Sequence, residues 1–476
     1  MTVESINVEA SIQMAQELIA KEKNLSPALK VALDVLLLLV TILANRLGLN
    51  SKNSSKPPST DPNRKKKLKE PGDRKPGGQN GHIGTTLKQV SDPDQVKNIR
   101  FDRSTLPPGS YRIAGYETRQ VVDIDIRTFV TEWRAEVIEH QNGKRYVAEF
   151  PKDITRPVQY GAGVKSNAVY LSQYQLIPYN RVEEQFRDQM SIPISAGTIN
   201  NFNKDAFERL ETFEAWVKEQ LIASALVHCD ETGINIGGKR RWLHNVSNEW
   251  FTFYYPHEKR GSEANNEMGI LPRYKGIICH DHWKPYFKYG GLHALCNAHH
   301  IRELERAVEQ DKQKWAEQMI LLLKEINKAT NDAGGRLEKA TSEHYRKRYR
   351  DVLFEAELEC PPPEEPAEKK KGKTARTTAR NLLERLKNFE EETLRFMDDE
   401  IVPFSNNPAE NDLRMTKVQQ KISGCFRAME GAKVFCRIRS YLSTCMKQGV
   451  TASEGLRLLF KGKFPDFMNV KDQSAE

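Results

Sequence analysis

Three acidic residues stand where a strand-like run ends or a helix begins. Asp230 lies in ALVHCDETGINI, an apolar run interrupted by adjacent carboxylates. Asp281 closes the short run GIICHD, which would set its carboxylate beside the first if the two strands are neighbours. In FSNNPAENDLRMTKVQQKISG, Asn407 can cap a helix that starts at Pro408. Glu410 then falls in the first turn, with Arg414 one turn further along the same face. A single Asp or Glu is ordinarily a surface residue, but three at such positions form a pattern. Converging carboxylates repel one another, and the arrangement persists most easily when divalent cations fill the gap. An all-carboxylate set is hard, which points to Mg²⁺.

A second group, His293, Cys296, His299 and His300, has the residue types that bind zinc. No second Cys/His pair at finger spacing accompanies it, so the segment reads better as a helix near the acids.

The acids need a scaffold, and the surrounding sequence supplies its pieces. RRWLHNVS and EWFTFYYPHEKRG follow the Asp230 run as two further strand-like segments, making three consecutive strands with the acid on the first. A helix bearing Glu410 could then lie across that sheet. Upstream, RVEEQFRDQM, SIPI and SAGTINNFNKDAF read as a helix, a tight turn and a second helix capped by Ser195, the spacing of a helix-turn-helix. Thr198, Asn200, Asn201 and Lys204 would then lie near the major groove of DNA. Two packed helices without a DNA role satisfy the same pattern. Between residues 95 and 160 apolar and polar residues alternate, predicting a small antiparallel sheet with a turn at Asn142-Gly143.

Residues 49–84 carry almost nothing apolar and are rich in Ser, Pro, Gly and base, as befits a linker or an arm. Lys52, Lys56, Arg64, Lys65, Lys66 and Lys67 suit phosphate contact rather than base reading, although such a run can also be simply solvated. Before it, Leu29, Leu33, Leu36, Val40, Leu43 and Leu47 follow the 4,3 spacing of a coiled-coil seam, with Ser26-Pro27 as cap and first turn. The added Leu37, Leu38 and Leu39 also suit an amphipathic helix packed on its own domain. The apolar run Val31 to Ala44 is about 14 residues long and contains Asp34, short of the roughly 20 apolar residues of a membrane span. Over 476 residues the net charge is +9 and the pI near 9.0, which favours a polyanionic partner, nucleic acid before a membrane surface. All seven cysteines lie at or after Cys229, without a CxxC, and the N-terminus lacks a signal-peptide pattern. Reduced thiols and an intracellular location are expected.

Several ordered blocks carry a family resemblance: LGLNSKNSSKPPSTD, CDET, HDHWKPY, LCNAHHIREL, NNPAENDLR and KISGCFRAMEGAKVFCRIRSYLSTCMKQG. Together they resemble the insertion-sequence-66 family, bacterial transposases of the DDE class, over nearly the whole chain. The resemblance implies an α/β, RNase H-like mixed-sheet core in which Asp230, Asp281 and Glu410 hold two Mg²⁺ ions, with Mn²⁺ as a substitute. It also implies His299 and Arg302 as braces of the site or DNA contacts, and Arg414 as a guide for Glu410 or a phosphate contact. The implied partners are transposon ends and target DNA, further copies of the chain in a homodimer or higher oligomer, and accessory proteins of the same element, in the bacterial cytoplasm without a membrane. The expected order is a helix or coiled coil over 9–48, a basic arm over 49–94 and a β-rich domain over 95–160. Then come a helical DNA-binding region over 161–220, the first part of the core over 221–290, a helical insertion over 291–400 with a linker at 360–378, and C-terminal core helices over 401–476. One departure stands out: members of the family commonly carry a cysteine-rich, zinc-finger-like module after the Pro/Ser segment, where this chain has no cysteine. A transposase-derived regulator would need the arm but not the acids, and an RNase H-like nuclease the acids but not the N-terminal regions.

Overall fold

The computed structural model describes residues 2–3, 6–22, 24–50, 52–54, 87–363 and 376–468. The chain divides into two compact units, Met1–Arg64 with Glu132–Glu476, and Lys65–Thr131.

The larger unit begins with the paired strands β1 (Thr2–Val3) and β2 (Ile6–Asn7), followed by helices α1 (Val8–Lys21) and α2 (Pro27–Leu47). Ser26 caps α2 through the amide of Leu29, and Pro27 opens the first turn, where no backbone donor is needed. The helix runs 21 residues, past both ends of the apolar run, and by length and composition it is long and apolar enough to cross a membrane. Residues on either side extend the 14-residue apolar run, carried along by helical propensity. None of its residues is fully buried, and Leu33, Leu37, Thr41 and Ala44 form a half-buried stripe along one face. Leu29, Leu36, Val40, Leu43 and Leu47 of the 4,3 seam are all exposed.

A hairpin of β3 (Val137–Glu139) and β4 (Arg145–Val147) turns through Asn142-Gly143, with Gly143 at φ 80°. Helices α3 (Ala162–Val169), α4 (Tyr179–Met190), α5 (Ala196–Arg209) and α6 (Glu211–Ile222) come next. The central sheet holds β5 (Leu226–Ile236), β6 (Lys239–Ser247), β7 (Thr252–His257), β8 (Ile277–His280) and β9 (Leu292–Leu295), in the order β7-β6-β5-β8-β9. The first three are antiparallel, and β8 and β9 add parallel to β5. Helix α7 (Ser262–Met268) bridges β7 and β8.

After the sheet come α8 (Asn297–Asp311), α9 (Lys314–Asp332), α10 (Lys339–Glu359), α11 (Thr378–Asn388) and α12 (Glu390–Leu394). The last α-helices among the described residues are α13 (Asn407–Ser423), α14 (Met429–Lys447) and α15 (Ala452–Phe460). Strand alternation divides most of the core in two, and a third cluster joins Ile234, Ile236 and Leu243 to α13 and α14. Val227, Cys229, Val246, Phe253 and Ile278 pack with α5, α6, α14 and α15. On the other face Leu226, Ile277, Cys279 and Ala294 meet α8 to α12. The helical insertion therefore shares the core of the sheet and is not a separately packed domain.

In the smaller unit, residues 87–131 contain a single 3₁₀ turn, Arg103–Thr105, and no strand among the described residues. The small sheet expected over 95–160 is thus reduced to the β3–β4 hairpin. Val122, Ile124 and Ile126 alternate as strand residues do, yet all three are exposed, with no opposing layer to bury them among the described residues.

Candidate active site

The register of β5 and β8 places two of the acids. Val227 pairs with Ile278 and His228 with Cys279, so two residues further on Asp230 stands beside Asp281, on strands about 4.8 Å apart. Both share the sheet face of Leu226, Ile277 and Cys279, which is covered by α8. Asp230 Oδ1 accepts the amide of Glu231 at 2.8 Å, and Asp281 Oδ1 accepts that of Trp283 at 3.1 Å. His282 follows Asp281 in the left-handed region at φ 72°, a conformation that costs a non-glycine residue on the order of 1 kcal/mol and turns the chain sharply past the acid.

Glu410 arrives on the first turn of α13, where the partial positive charge of a helix N-terminus favours a carboxylate. The capping arrangement differs from the expected one. Asn406, not Asn407, precedes the helix, and its side chain makes no cap bond. It is fully buried, its Nδ2 donates to the Cys229 carbonyl at 2.8 Å, and its Oδ1 accepts from His228 Nδ1 at 2.7 Å. Its amide donates to Cys296 Sγ at 3.1 Å. One residue thus ties the Glu410 helix to the Asp230 strand and to the start of α8. Burial holds His228 below its ordinary pKa, consistent with a neutral ring donating through Nδ1.

The charges converge. Burial, then Asp281, then Glu231 push Asp230 well above the usual carboxylate range, and Glu410 adds to the push. Arg302 of α8 reaches both carboxylate oxygens of Glu410 at 3.4 Å, and His299 Nδ1 lies 3.5 Å from one of them. Arg414 is exposed, so the basic partner of Glu410 comes from α8 and not from its own helix.

A fourth acid lies next to the first in the chain. Glu231 points to the opposite face with only 1% of its side chain exposed, pairs with Arg260 at 2.7 Å and accepts from the Tyr286 hydroxyl. Arg260 stacks over Trp283 at 3.8 Å and faces Trp242 at 4.9 Å. Burial, then Asp281, raises the pKa of Glu231. The second acid of CDET and the first Asn of NNP were the only sequence signals for Glu231 and Asn406.

The candidate DNA contacts lie elsewhere. Ser195 caps α5 through the Thr198 amide at 3.2 Å, and Asn200, Asn201 and Lys204 are exposed on that helix, Lys204 pairing with Glu430 at 3.0 Å. Helix α5 packs on α3 and α14 in the core on the sheet face opposite Asp230 and Asp281. Lys52 is exposed, whereas Lys56, Arg64, Lys65, Lys66 and Lys67 lie outside the described residues.

Asp281 and Glu410 both act on Asp230, all three are hard oxygen donors, and a divalent cation would offset the burial and repulsion that lift Asp230, so the residues fit Mg²⁺. Comparison with known families gives the class of the protein. The model described as Transposase IS66 family matches residues 157–434, more than half of the chain and a range within which the three acids fall, and the chain belongs to that family. Residues 4–88 match a family of unknown function, DUF6444. No curated protein matches the chain.

Proposed function

We propose that this chain is a DNA transposase that cuts and joins DNA at the ends of its element, with Asp230, Asp281 and Glu410 holding two Mg²⁺ ions, or Mn²⁺ in their place, in an RNase H-like core. The observation that carries this reading is the convergence of three acids from β5, the end of β8 and the start of α13. The three antiparallel strands with two added in parallel, the acid on the first, support the RNase H-like assignment. Bound ions would supply activation of the attacking oxygen and stabilisation of the leaving one.

The chain's own residues set the geometry for this. Asn406 fixes the height of α13 above β5, so that Glu410 faces Asp230. Arg302 restrains the longer Glu410 side chain, and the turn at His282 keeps Asp281 at the strand end. Glu231 and Arg260 lock the strand from its opposite face. The α2 seams of two copies form a dimer, the basic arm and the α5 face hold DNA, and the protein works in the bacterial cytoplasm with accessory proteins of its element.

Incubating the protein with Mg²⁺ and duplexes carrying the DNA that flanks its gene tests the proposal. Strand-transfer products joined to target DNA are expected. Sequence-blind cutting without joining would make it a nuclease, and binding without cleavage a regulator.

A further inference from the structure

One cluster beside the carboxylates has a different chemistry from theirs. Cys296 precedes α8, His299 sits in its first turn, and Glu410 reaches over from α13. The Cys296 sulfur, a ring nitrogen of His299 and a carboxylate oxygen of Glu410 all lie within 4.8 Å of one another. Ligand atoms around a tetrahedral zinc ion, at bond lengths of about 2.0 to 2.3 Å, stand roughly 3.3 to 3.8 Å apart, so movements of about an ångström would close the set. His299 Nδ1 is buried without a hydrogen-bond partner and lies on the Glu410 side of the ring. The Asn406 amide already points at the Cys296 sulfur, the kind of outer contact that orients a thiolate ligand.

We propose that Cys296, His299 and Glu410 form a site for a zinc-type cation, with the fourth position open, and that this ion inhibits the transposase by withdrawing Glu410 from Asp230 and Asp281. The inhibitory part rests on the triad reading of the proposed function. Sulfur and imidazole select a borderline-soft ion and disfavour Mg²⁺, so the two sites differ in metal while sharing one carboxylate. On binding, the thiol gives up its proton to solvent and sulfur bonds to the metal. The His299 ring proton shifts to Nε2, and the long 3.4 Å contact of that nitrogen with Arg302 yields.

Co²⁺ is the probe, since it takes zinc sites and its bond to a thiolate absorbs in the near ultraviolet. Titrating the full-length protein with Co²⁺ should give one equivalent of that band, abolished in Cys296→Ser and weakened about tenfold or more in affinity in His299→Ala. Circular dichroism checks that both variants fold, and His299→Ala keeps all the thiols. Zn²⁺ should displace the band and inhibit Mg²⁺-dependent cleavage. Scaled to each protein's own zinc-free rate, Cys296→Ser should need about tenfold more zinc for half inhibition. Absence of the band, or its survival in Cys296→Ser on another thiol such as the exposed Cys425, would overturn the site. A band with no zinc inhibition would overturn the inhibitory role. If the wild type cleaves nothing in Mg²⁺, the triad reading fails while the cobalt band still decides whether the metal site exists.

Discussion

Asn406 does more for the site than its neutral side chain suggests. Removing it in Asn406→Ala leaves the Cys229 carbonyl and the His228 ring nitrogen buried without partners. An unsatisfied buried polar group costs about 1 to 3 kcal/mol, so urea unfolding should show a loss of roughly 2 to 4 kcal/mol. Cleavage should fall further than the folded fraction does, because the Glu410 helix loses its tie to β5. Asn406→Asp retains the acceptor for His228 but sets an oxygen against the Cys229 carbonyl, and should be comparably damaging. Wild-type stability and activity in both variants would remove Asn406 from the account. Glu231 makes a second residue-scale test. Glu231→Gln keeps the shape but discards the charge that Arg260 neutralises, stranding a guanidinium that is two-thirds buried between tryptophans. A measurable drop in stability with DNA binding retained is expected, checked by thermal unfolding and gel shift.

At the scale of elements, the exposed seam of α2 calls for a partner. Three heptads support a weak dimer, so the full-length protein should sediment as a dimer at micromolar concentration, and Leu36→Lys with Leu43→Lys should shift it to monomer. A monomeric wild type, or a variant that stays dimeric, would assign the seam another role. The elements that carry chemistry were legible because strong local signals bound them: the apolar runs before Asp230 and Asp281, Ser195 before α5, and Pro408 at the start of α13. What stayed hidden depends on distant partners. Either Asn406 or Asn407 could cap α13 by local chemistry, and the choice is made by Cys229, 177 residues away. Arg414 has the right spacing to meet Glu410 within one helix, but Arg302, 108 residues earlier, has the right position in space. The alternation of RQVVDIDIRTFV matches a strand, yet alternation only marks which residues would be buried and cannot supply the layer that buries them.

On the scale of the whole molecule, the basic excess behind the charge of +9 is densest along residues 49–84, a stretch suited to gripping DNA. Replacing Arg64, Lys65, Lys66 and Lys67 by Ala should weaken DNA binding and flatten its salt dependence by up to about one phosphate contact per residue, with little change in sequence preference. An unchanged slope would mean that these side chains are only solvated. The fold itself gathers three acids spread over 180 positions into one place, and the account stands on their acting as a unit. The most direct test is single-turnover cleavage and strand transfer in Mg²⁺ by Asp230→Ala, Asp281→Ala, Glu410→Ala, their double variants and Glu410→Asp. Each alanine variant should still bind DNA yet lose nearly all activity, and the doubles should be little worse than the singles, as expected of groups that fail together. Glu410→Asp keeps the charge but shortens the reach by one methylene, and its activity should also fall steeply. Wild-type transfer by Glu410→Ala would contradict the account and pass the third carboxylate to a neighbour such as Asp412 or Glu400.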